Sequence, residues 1–347
     1  MKAAVLEATR TLVCKEVETP QPADGEVLVH VAYCGVCGSD VPRYLDGAVH
    51  AFPLILGHEF SGDVVAVGPH ADESLVGARV AGIPLIPCME CPDCKAGNYS
   101  LCKQYGFIGS RRNGAYAEYV AVPQQCVFPI SDNVPYLQAA FFEPATVAQH
   151  AIGLVAPEPV ATAAVVGCGT IGIFVAQILQ DMGLEVTALA RREVRLSAAR
   201  AAGVANLCDT SREGWEASLV DGMPKRGFDY VFDTSGNAAM MVKSFELAAN
   251  KATVCMVGTP KRSMEFTVRE WENLNRKELK VTGSWMSYSA PFPGGEWQSV
   301  AALFASGVLK VCDEMIDGIY PIEEIAVGME KFTLPNSISG KLLVKCQ

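Results

Sequence analysis

The first third of the sequence carries three side chains that could bind a metal ion. Cys37 stands in the run Cys-Gly-Ser-Asp, and His58, with Glu59 beside it, follows 21 residues later. A thiolate, an imidazole and a carboxylate are ligands that Zn²⁺ accepts, and a site built from them can keep one position open for water or substrate. An alcohol oxygen bound there becomes acidic near neutral pH. A lone Cys or His is usually a core residue, so these side chains are informative only as a group.

A second group of possible metal ligands follows the spacing C-x2-C-x2-C-x7-C in a loop with several prolines and glycines. The group consists of Cys88, Cys91, Cys94 and Cys102. Such short intervals let four thiolates converge tetrahedrally, and four sulfurs close the coordination sphere of Zn²⁺, so the spacing predicts a structural site. Two disulfides or an iron–sulfur cluster are the alternatives. The other eight cysteines follow no ligand spacing and are predicted to be packing residues.

A glycine-rich turn separates a strand-like run from a helical pattern in the middle of the chain. Residues 163–166 are apolar, and the helical pattern passes through Phe174, Ile178 and Leu179. This order is that of a dinucleotide-binding unit, in which glycines permit the turn and the close approach of a pyrophosphate. Later strand-like runs, at 185–189, 230–233, 253–257 and 279–282, with helical or loop material between them, strengthen the evidence for such a unit. The turn residues predicted to bind the cofactor are Gly167, Gly169, Thr170, Ile171 and Gly172.

The end of the second predicted strand indicates which nicotinamide cofactor binds. About 20 residues after the glycines, an acidic residue usually contacts the adenosine ribose hydroxyls. Here the strand ends at Ala190, followed by Arg191 and Arg192, with Arg195 one helical turn further on. The absence of the carboxylate removes repulsion toward a 2′-phosphate, and guanidinium groups can pair with that phosphate. The sequence therefore favours NADP(H), while NAD(H) stays possible because some of these arginines could simply face solvent.

Length and composition limit the classes of protein to consider. The 347 residues suffice for about two domains, and half of them are hydrophobic. The formal charge of −10 and the lack of a Lys/Arg-rich run argue against a nucleic-acid surface. Residues 159–180 carry no charge, but their glycines and polar residues predict a buried strand, turn and helix rather than a membrane span. With no signal-peptide core at the amino terminus, the thirteen cysteines predict a reducing cytoplasm.

Across nearly the whole chain the sequence resembles zinc-dependent medium-chain alcohol dehydrogenases of the sorbitol dehydrogenase branch. Four segments carry the resemblance: Cys-Gly-Ser-Asp-Val-Pro-Arg from Cys37, Leu-Gly-His-Glu-Phe-Ser-Gly from Leu56, Phe-Ile-Gly-Ser-Arg-Arg-Asn-Gly from Phe107, and Gly-Ser-Trp-Met-Ser-Tyr-Ser from Gly283. The resemblance implies a structural zinc in the four-cysteine lobe and a proton-relay hydroxyl at Ser39. It implies a catalytic zinc at Cys37, His58, Glu59 and Glu143, and leaves open which glutamate coordinates.

The resemblance also implies an architecture. The class is α/β, with a doubly wound parallel Rossmann sheet and a mostly β, GroES-like catalytic domain that carries the structural-zinc lobe. Residues 1–152 and 283–347 are expected to form the catalytic domain, and residues 153–282 the dinucleotide-binding domain. The active site is then expected in the cleft between them, where zinc and nicotinamide can meet the same carbon. Relatives of this kind pair through the cofactor domain, so a homodimer or homotetramer is expected.

The implied reaction is reversible oxidation of a secondary alcohol on a polyol or on its phosphate, such as galactitol 1-phosphate. Hydride would pass between the carbinol carbon and the nicotinamide. Arg43, Arg111 and Arg112 are candidates for binding a substrate phosphate, although surface salt bridges would equally explain them. The chain departs from its relatives at Ala190–Arg192, where they carry the acid suited to NAD.

Three alternative functions can be compared with these motifs, and the sequence argues against the last two. An unphosphorylated polyol or another secondary alcohol would use the same zinc and glycine motifs. A zinc- and dinucleotide-binding redox sensor would need a disabled site, yet the predicted catalytic residues are all present. A zinc-free quinone reductase should lack both metal motifs, and this chain has both.

Overall fold

The computed structural model describes residues 1–220 and 226–347. It divides the chain into two compact units. Unit 1 contains residues 1–143, 288–305 and 316–347, and unit 2 contains residues 144–287 and 306–315. The domain bounds expected from the sequence, 1–152 with 283–347 and 153–282, stay a prediction.

The strands of the described residues are β1 (Lys2–Ala8), β2 (Thr11–Glu16), β3 (Glu26–Gly35), β4 (Leu54–Ile55), β5 (Glu59–Val67), β6 (Arg79–Gly82), β7 (Leu85–Ile86), β8 (Gly106–Phe107), β9 (Tyr119–Pro123), β10 (Val127–Pro129), β11 (Thr162–Val166), β12 (Glu185–Ala190), β13 (Asn206–Asp209), β14 (Phe228–Asp233), β15 (Ala248–Met256), β16 (Lys280–Gly283), β17 (Ile316–Pro321) and β18 (Lys341–Lys345).

The α-helices are α1 (Asp40–Asp46), α2 (Pro92–Lys95), α3 (Tyr136–Ala139), α4 (Phe142–Val155), α5 (Thr170–Asp181), α6 (Glu193–Ala201), α7 (Trp215–Val220), α8 (Ala238–Leu247), α9 (Val268–Arg276), α10 (Gly295–Ser306) and α11 (Ile325–Glu330). Within the described ranges, no helix is long and apolar enough to cross a membrane. The uncharged stretch 159–180 contains β11, the glycine turn and most of α5, as the sequence predicts.

Unit 1 is mostly β-structure. Its largest sheet has the order β10-β6-β5-β3-β18-β17, with β9 also paired to β3, and a smaller sheet has the order β2-β1-β4. The long strand β3 is largely buried, and β5 runs antiparallel to it with Gly35 opposite Glu59. This register places the end of β3 and the start of β5 side by side, so residues just beyond them share one edge of the sheet.

Unit 2 contains a six-stranded parallel sheet in the order β13-β12-β11-β14-β15-β16. This is the doubly wound order, whose ligand crevice lies at the carboxyl ends of the strands where the order reverses, here between β11 and β14. Its core contains Ala164, Val166, Leu189, Val231 and Val254. Continuous burial of β11 is typical of a parallel strand covered on both faces. The strand-like runs in the sequence predicted every strand of this sheet except β13. The four residues of β13, Asn-Leu-Cys-Asp, give no clear strand pattern.

Candidate active site

The ends of β3 and β5 bring three predicted metal ligands together in unit 1. One donor atom from each of Cys37, His58 and Glu59 lies within 4.8 Å of the others. Cys37 follows β3, and His58 immediately precedes Glu59, the first residue of β5. Gly35 packs directly against the Glu59 carboxylate, so a side chain there would displace it. The antiparallel register therefore joins residues 21 positions apart into one candidate metal centre.

Asp40, the first residue of α1, connects this centre to its surroundings and is fully buried. Its carboxylate accepts hydrogen bonds from the Cys37 N–H at 3.1 Å, the Tyr116 hydroxyl at 3.0 Å and Arg43 Nη1 at 2.9 Å. Asp40 Oδ1 also lies 3.6 Å from Nδ1 of His58, an atom that makes no hydrogen bond among the described residues. A carboxylate next to Nδ1 favours the tautomer that leaves Nε2 free to bind a metal.

A buried lysine accompanies the Glu59 carboxylate. Lys341, the first residue of β18, pairs with Glu59 Oε2 and donates to the Val36 carbonyl at 3.3 Å. Burial alone lowers the pKa of Lys341, but the charges of Glu59 and Cys37 outweigh it and raise that pKa above its ordinary value. Lys341 is therefore a cation at neutral pH. It neutralises part of the negative charge at this centre.

Glu143, on α4, lies outside the three-residue group but within its electrostatic field. Burial, then the negative charge of Glu59, raises the pKa of Glu143 to about 7, while the charge of His58 lowers it. Burial also raises the pKa of Cys37 well above its ordinary value, helped by Glu59 and Asp40. The buried acidic groups of Cys37, Glu59 and Glu143 share one lysine. Together they can carry more negative charge than that lysine balances. A divalent cation would balance it, so the donor set fits Zn²⁺.

Ser39 has the geometry of a hydroxyl that can pass a proton. It is exposed, and its Oγ accepts a hydrogen bond from Arg43 Nη1 at 3.0 Å. Its backbone N–H points at Cys37 Sγ at 3.5 Å. The hydroxyl proton is therefore free to be donated elsewhere, beside a predicted ligand.

The four-cysteine lobe converges as its spacing predicts. The Sγ atoms of Cys88, Cys91, Cys94 and Cys102 all lie within 4.8 Å of one another. Sulfurs arranged tetrahedrally around Zn²⁺ at about 2.3 Å are ~3.8 Å apart, and the Cys88 and Cys94 sulfurs are 3.9 Å apart. A disulfide would need about 2.05 Å. Backbone N–H groups point at three of the sulfurs at 3.4–3.5 Å. The lobe is therefore consistent with a closed structural zinc site.

The glycine-rich turn in unit 2 borders a cavity of about 320 Å³ at the predicted cofactor position. Gly167 has φ +101° and packs against Ser235, and a Cβ on Gly172 would collide with the Gly167 carbonyl. Gly169 precedes α5, whose first residues are Thr170 and Ile171. The turn therefore brings its backbone close to the cavity, which suits a pyrophosphate at the start of the helix.

The basic residues after β12 line the same cavity. Ala190, Arg191, Arg192 and Arg195 all contribute to its wall. Arg191 is exposed, while Arg192 and Arg195 are partly buried. In the parallel register, Asp209 is opposite Ala190, and its carboxylate accepts from the Ser211 N–H and from Arg212 Nε. The Asp209 carboxylate on the neighbouring strand β13 is thus already hydrogen-bonded to residues of the turn that follows it.

The three arginines suggested as phosphate ligands have different environments. Arg43 pairs with Asp40, and Arg112 pairs with Glu26 at 2.8 Å. Arg111 stacks over the ring of Tyr105 at 4.3 Å. Arg43 and Arg112 therefore form salt bridges, as the alternative to phosphate binding expected. Arg111 differs from both because it contacts an aromatic ring.

Sequence reasoning missed several residues of the centre. Asp40 belongs to the Cys-Gly-Ser-Asp run, so its position three residues after Cys37 was an available signal. Tyr116 and Lys341 gave no such signal, because they reach Asp40 and Glu59 only through the sheet. The Phe107 ring also packs edge-on against His58, with the ring centroids 5.2 Å apart.

Comparison with known proteins supports the resemblance seen in the sequence. Residues 23–132 match the family model "Alcohol dehydrogenase GroES-like domain", and residues 170–306 match "Zinc-binding dehydrogenase". Galactitol 1-phosphate 5-dehydrogenase of Escherichia coli (strain K12) is 35% identical over 320 residues, 92% of each chain. Sorbitol dehydrogenase of Bacillus subtilis (strain 168) is 31% identical over 337 residues, 95% of this chain and 93% of that one.

A solved structure agrees over the full length. The crystal structure of galactitol-1-phosphate dehydrogenase from Escherichia coli superposes with a TM-score of 0.92 at 33% identity, covering 99% of this chain and 100% of that one. The predicted fold class, a Rossmann sheet with a GroES-like domain, is confirmed. With both halves of the chain matched, this protein belongs to the zinc-binding alcohol dehydrogenases and is an NAD(P)-dependent alcohol or polyol dehydrogenase.

Proposed function

We propose that this enzyme reversibly oxidises a phosphorylated polyol, such as galactitol 1-phosphate, to its ketose phosphate with NADP(H). The observation that carries the reaction type is the convergence of Cys37, His58 and Glu59 within 4.8 Å beside a buried network of charges. The substrate class is supported by the 35% identical relative, whose name specifies galactitol 1-phosphate. The cofactor preference is supported by three arginines around one cavity.

Each residue at the centre has a distinct proposed role. When bound, zinc supplies a Lewis acid and the nicotinamide supplies a two-electron acceptor. Cys37 and His58 would hold the metal, with Glu59 and Glu143 as the carboxylates that complete or exchange within its shell. The Asp40 carboxylate lies beside His58 Nδ1 and would orient the ring, and Lys341 pairs with Glu59. Ser39 would carry the alcohol proton away through its Oγ.

Proton movement through Ser39 follows from its hydrogen bonds. Arg43 donates to Ser39 Oγ, so one lone pair of that oxygen is occupied and its proton can be given to a second acceptor. The same guanidinium nitrogen donates to Asp40, which limits its movement. Ser39 can therefore receive a proton from a substrate hydroxyl and pass its own toward solvent, since its side chain is exposed.

The NADP(H) preference is a matter of charge at the end of β12. Ala190 offers no carboxylate to the ribose, and Asp209 is engaged by Ser211 and Arg212. Arg191, Arg192 and Arg195 surround the cavity, so a 2′-phosphate would meet positive charge. NAD(H) lacks that phosphate and would gain nothing from these side chains.

Initial rates on zinc-replete protein test the substrate and cofactor together. We expect activity with galactitol 1-phosphate and NADP, and little with galactitol or sorbitol. A preference for the free polyol would favour the alternative function suggested by the 31% identical sorbitol dehydrogenase. A preference for NAD would contradict the cofactor proposal and leave the reaction unchanged.

Paired variants test the arginines directly. Replacing Arg191 and Arg192 by Gln should lower kcat/KM for NADP by about 100-fold or more, because each charge-assisted hydrogen bond is worth roughly 1.5–3 kcal/mol, and should spare kcat/KM for NAD. Arg200→Gln is the control, since Arg200 is exposed in the last turn of α6, the helix that follows Arg191 and Arg192, and pairs with Glu193. An equal effect on both cofactors would mean that the arginines support the fold and do not select the cofactor.

We further propose a homo-oligomer formed through unit 2 and located in the cytoplasm. Strand β16 ends the described six-stranded sheet, and Val281 and Trp285 beside its free edge are 44% and 57% exposed. An exposed apolar edge strand is an efficient pairing surface. All thirteen cysteines are unpaired, which suits a reducing compartment. Light scattering on Trp285→Glu and the parent protein tests the interface, and an unchanged mass would contradict it.

A further inference from the structure

A guanidinium group that is not already paired with a carboxylate attracts a phosphate more strongly than one that is. Arg43 and Arg112, two of the three arginines in the motif segments, are ion-paired with Asp40 and Glu26. Arg43 has only 14% of its side chain exposed. Arg112 also donates to the Ala121 carbonyl at 2.8 Å. The charge of each residue is therefore already partly neutralised by a carboxylate, which weakens its attraction for a phosphate.

Arg111 has a different environment. Its side chain is exposed, and the described part of the structure gives its guanidinium no carboxylate partner. The guanidinium carbon lies 4.3 Å from the centroid of the Tyr105 ring, a cation–π contact. Its backbone N–H donates to the Phe107 carbonyl at 2.9 Å, which closes a tight turn. The ring and the turn together restrict where this charge can lie, while its N–H groups stay available.

Three successive contacts connect this charge to the metal centre. The Arg111 guanidinium stacks on Tyr105, the Tyr105 ring meets the Phe107 ring edge-on at 6.2 Å, and the Phe107 ring meets His58 at 5.2 Å. Tyr105 and Phe107 are both only partly buried. They therefore form a partly open aromatic wall that runs from the predicted ligand His58 to Arg111.

The proposed substrate carries its phosphate at a distance from the carbon that reacts. In a hexitol 1-phosphate oxidised at C5, the phosphorus lies roughly 7 Å from the reacting carbon when the chain is extended, given single bonds near 1.5 Å. A phosphate ligand must then lie about two side chains from the metal ligands. Arg111 occupies such a position, and its planar guanidinium can bind two phosphate oxygens at once.

We propose that Arg111 binds the substrate phosphate and makes the enzyme select phosphorylated polyols over free ones. This inference rests on the proposed function, because it names the residue that would recognise the phosphate. The ring of Tyr105 holds the guanidinium in place before substrate arrives, which reduces the conformational entropy lost on binding. Arg111 is therefore a specificity-determining residue outside the chemical step.

The test compares Arg111→Gln with Arg112→Gln. Arg111→Gln should lower kcat/KM for galactitol 1-phosphate by about 10- to 100-fold, because charge-assisted hydrogen bonds to the phosphate are lost, and should leave kcat/KM for galactitol unchanged. The loss should fall mainly on KM. Arg112→Gln removes a positive charge from the next residue in the sequence. The ratio of kcat/KM for galactitol 1-phosphate to kcat/KM for galactitol should stay unchanged in that variant.

Calorimetry gives a second readout that does not depend on turnover. Galactitol 1-phosphate titrated into zinc-loaded protein without cofactor should bind the Arg111→Gln variant more weakly by the same factor. If the parent enzyme shows no preference for phosphates, the proposed substrate fails. If the parent prefers phosphates and Arg111→Gln keeps that preference, only the assignment of Arg111 fails. An equal loss on both substrates would also overturn the assignment, because it would indicate a structural role.

Discussion

The four-cysteine lobe and the Cys37 centre both gather side chains that could hold a metal ion in unit 1, but they are built differently. The lobe takes all its ligands from residues 88–102, so local chain geometry suffices to converge them. The Cys37 centre takes its donors from the ends of β3 and β5 and surrounds them with Asp40 and Lys341. A closed site can therefore be formed by a short loop, whereas an open site needs a sheet and further charges to hold its ligands.

Cys88 of the lobe and Cys37 of the other centre have thiol pKa values shifted in opposite directions. In the lobe, backbone N–H groups of Glu90 and Cys91 point at Cys88 and lower the pKa of its thiol to about 6. At the other centre, burial, with Glu59 and Asp40, raises the pKa of Cys37. The lobe thus stabilises the Cys88 thiolate with its own backbone, although burial raises the pKa of Cys94 to about 12, while the Cys37 centre depends on a cation. This contrast predicts that loss of a cysteine from the lobe mainly affects stability and that loss of Cys37 from the centre mainly affects activity.

Removing a thiolate from the centre should have the largest effect on activity. Cys37→Ala should lower kcat by about a thousandfold, since a bound zinc contributes several kcal/mol to the transition state and each 1.36 kcal/mol is a factor of ten. The melting temperature should change little. Metal analysis should show the loss of one zinc per chain while the lobe keeps its own. Retention of activity would show that Cys37 is not a ligand.

The matched change in the lobe should mainly affect stability. Cys94→Ala removes a buried thiolate from a closed site and should release its zinc, lowering the melting temperature by more than about 10 °C, because structural zinc binding contributes directly to folding. The protein that remains folded should keep kcat within about twofold. A fall in kcat without loss of stability would contradict the division of roles between the two sites.

The same contrast explains how far the sequence alone could lead. The lobe was predictable because its ligands are neighbours and their spacing sets their geometry. The strand, turn and helix around Gly167 were predictable for the same local reason. Lys341 was not, because it lies 282 residues from Glu59 and meets it only when β18 joins the sheet beside β3. Long-range pairings of this kind leave no pattern in one segment of sequence.

The buried lysine gives the next largest effect. Lys341→Met would leave Glu59 buried without its partner and should destabilise the protein by about 3 kcal/mol. Removing one member of a buried ion pair leaves the charge of the other member buried and uncompensated. Urea unfolding measures the change. Lys341→Arg keeps the charge and should lose less. If zinc alone held Glu59, the Met variant loaded with metal would be as stable as the parent.

The smallest predicted effect is a difference in thiol reactivity after both metals are removed with a chelator. Alkylating agents react with the thiolate. Because the pKa of Cys88 is lowered to about 6, this thiol is mostly ionised at pH 7, and its labelling rate should level off above pH 7. Burial raises the pKa of Cys94 to about 12, so its rate should keep rising with pH. A thiolate of low pKa is also a weaker nucleophile, so Cys88 should react only about threefold faster than an ordinary exposed thiol.

Mass spectrometry of alkylated peptides should show the order Cys88, then Cys94 and Cys37. Equal labelling of Cys88 and Cys37 would mean that the backbone of the lobe does not favour thiolates before the metal binds.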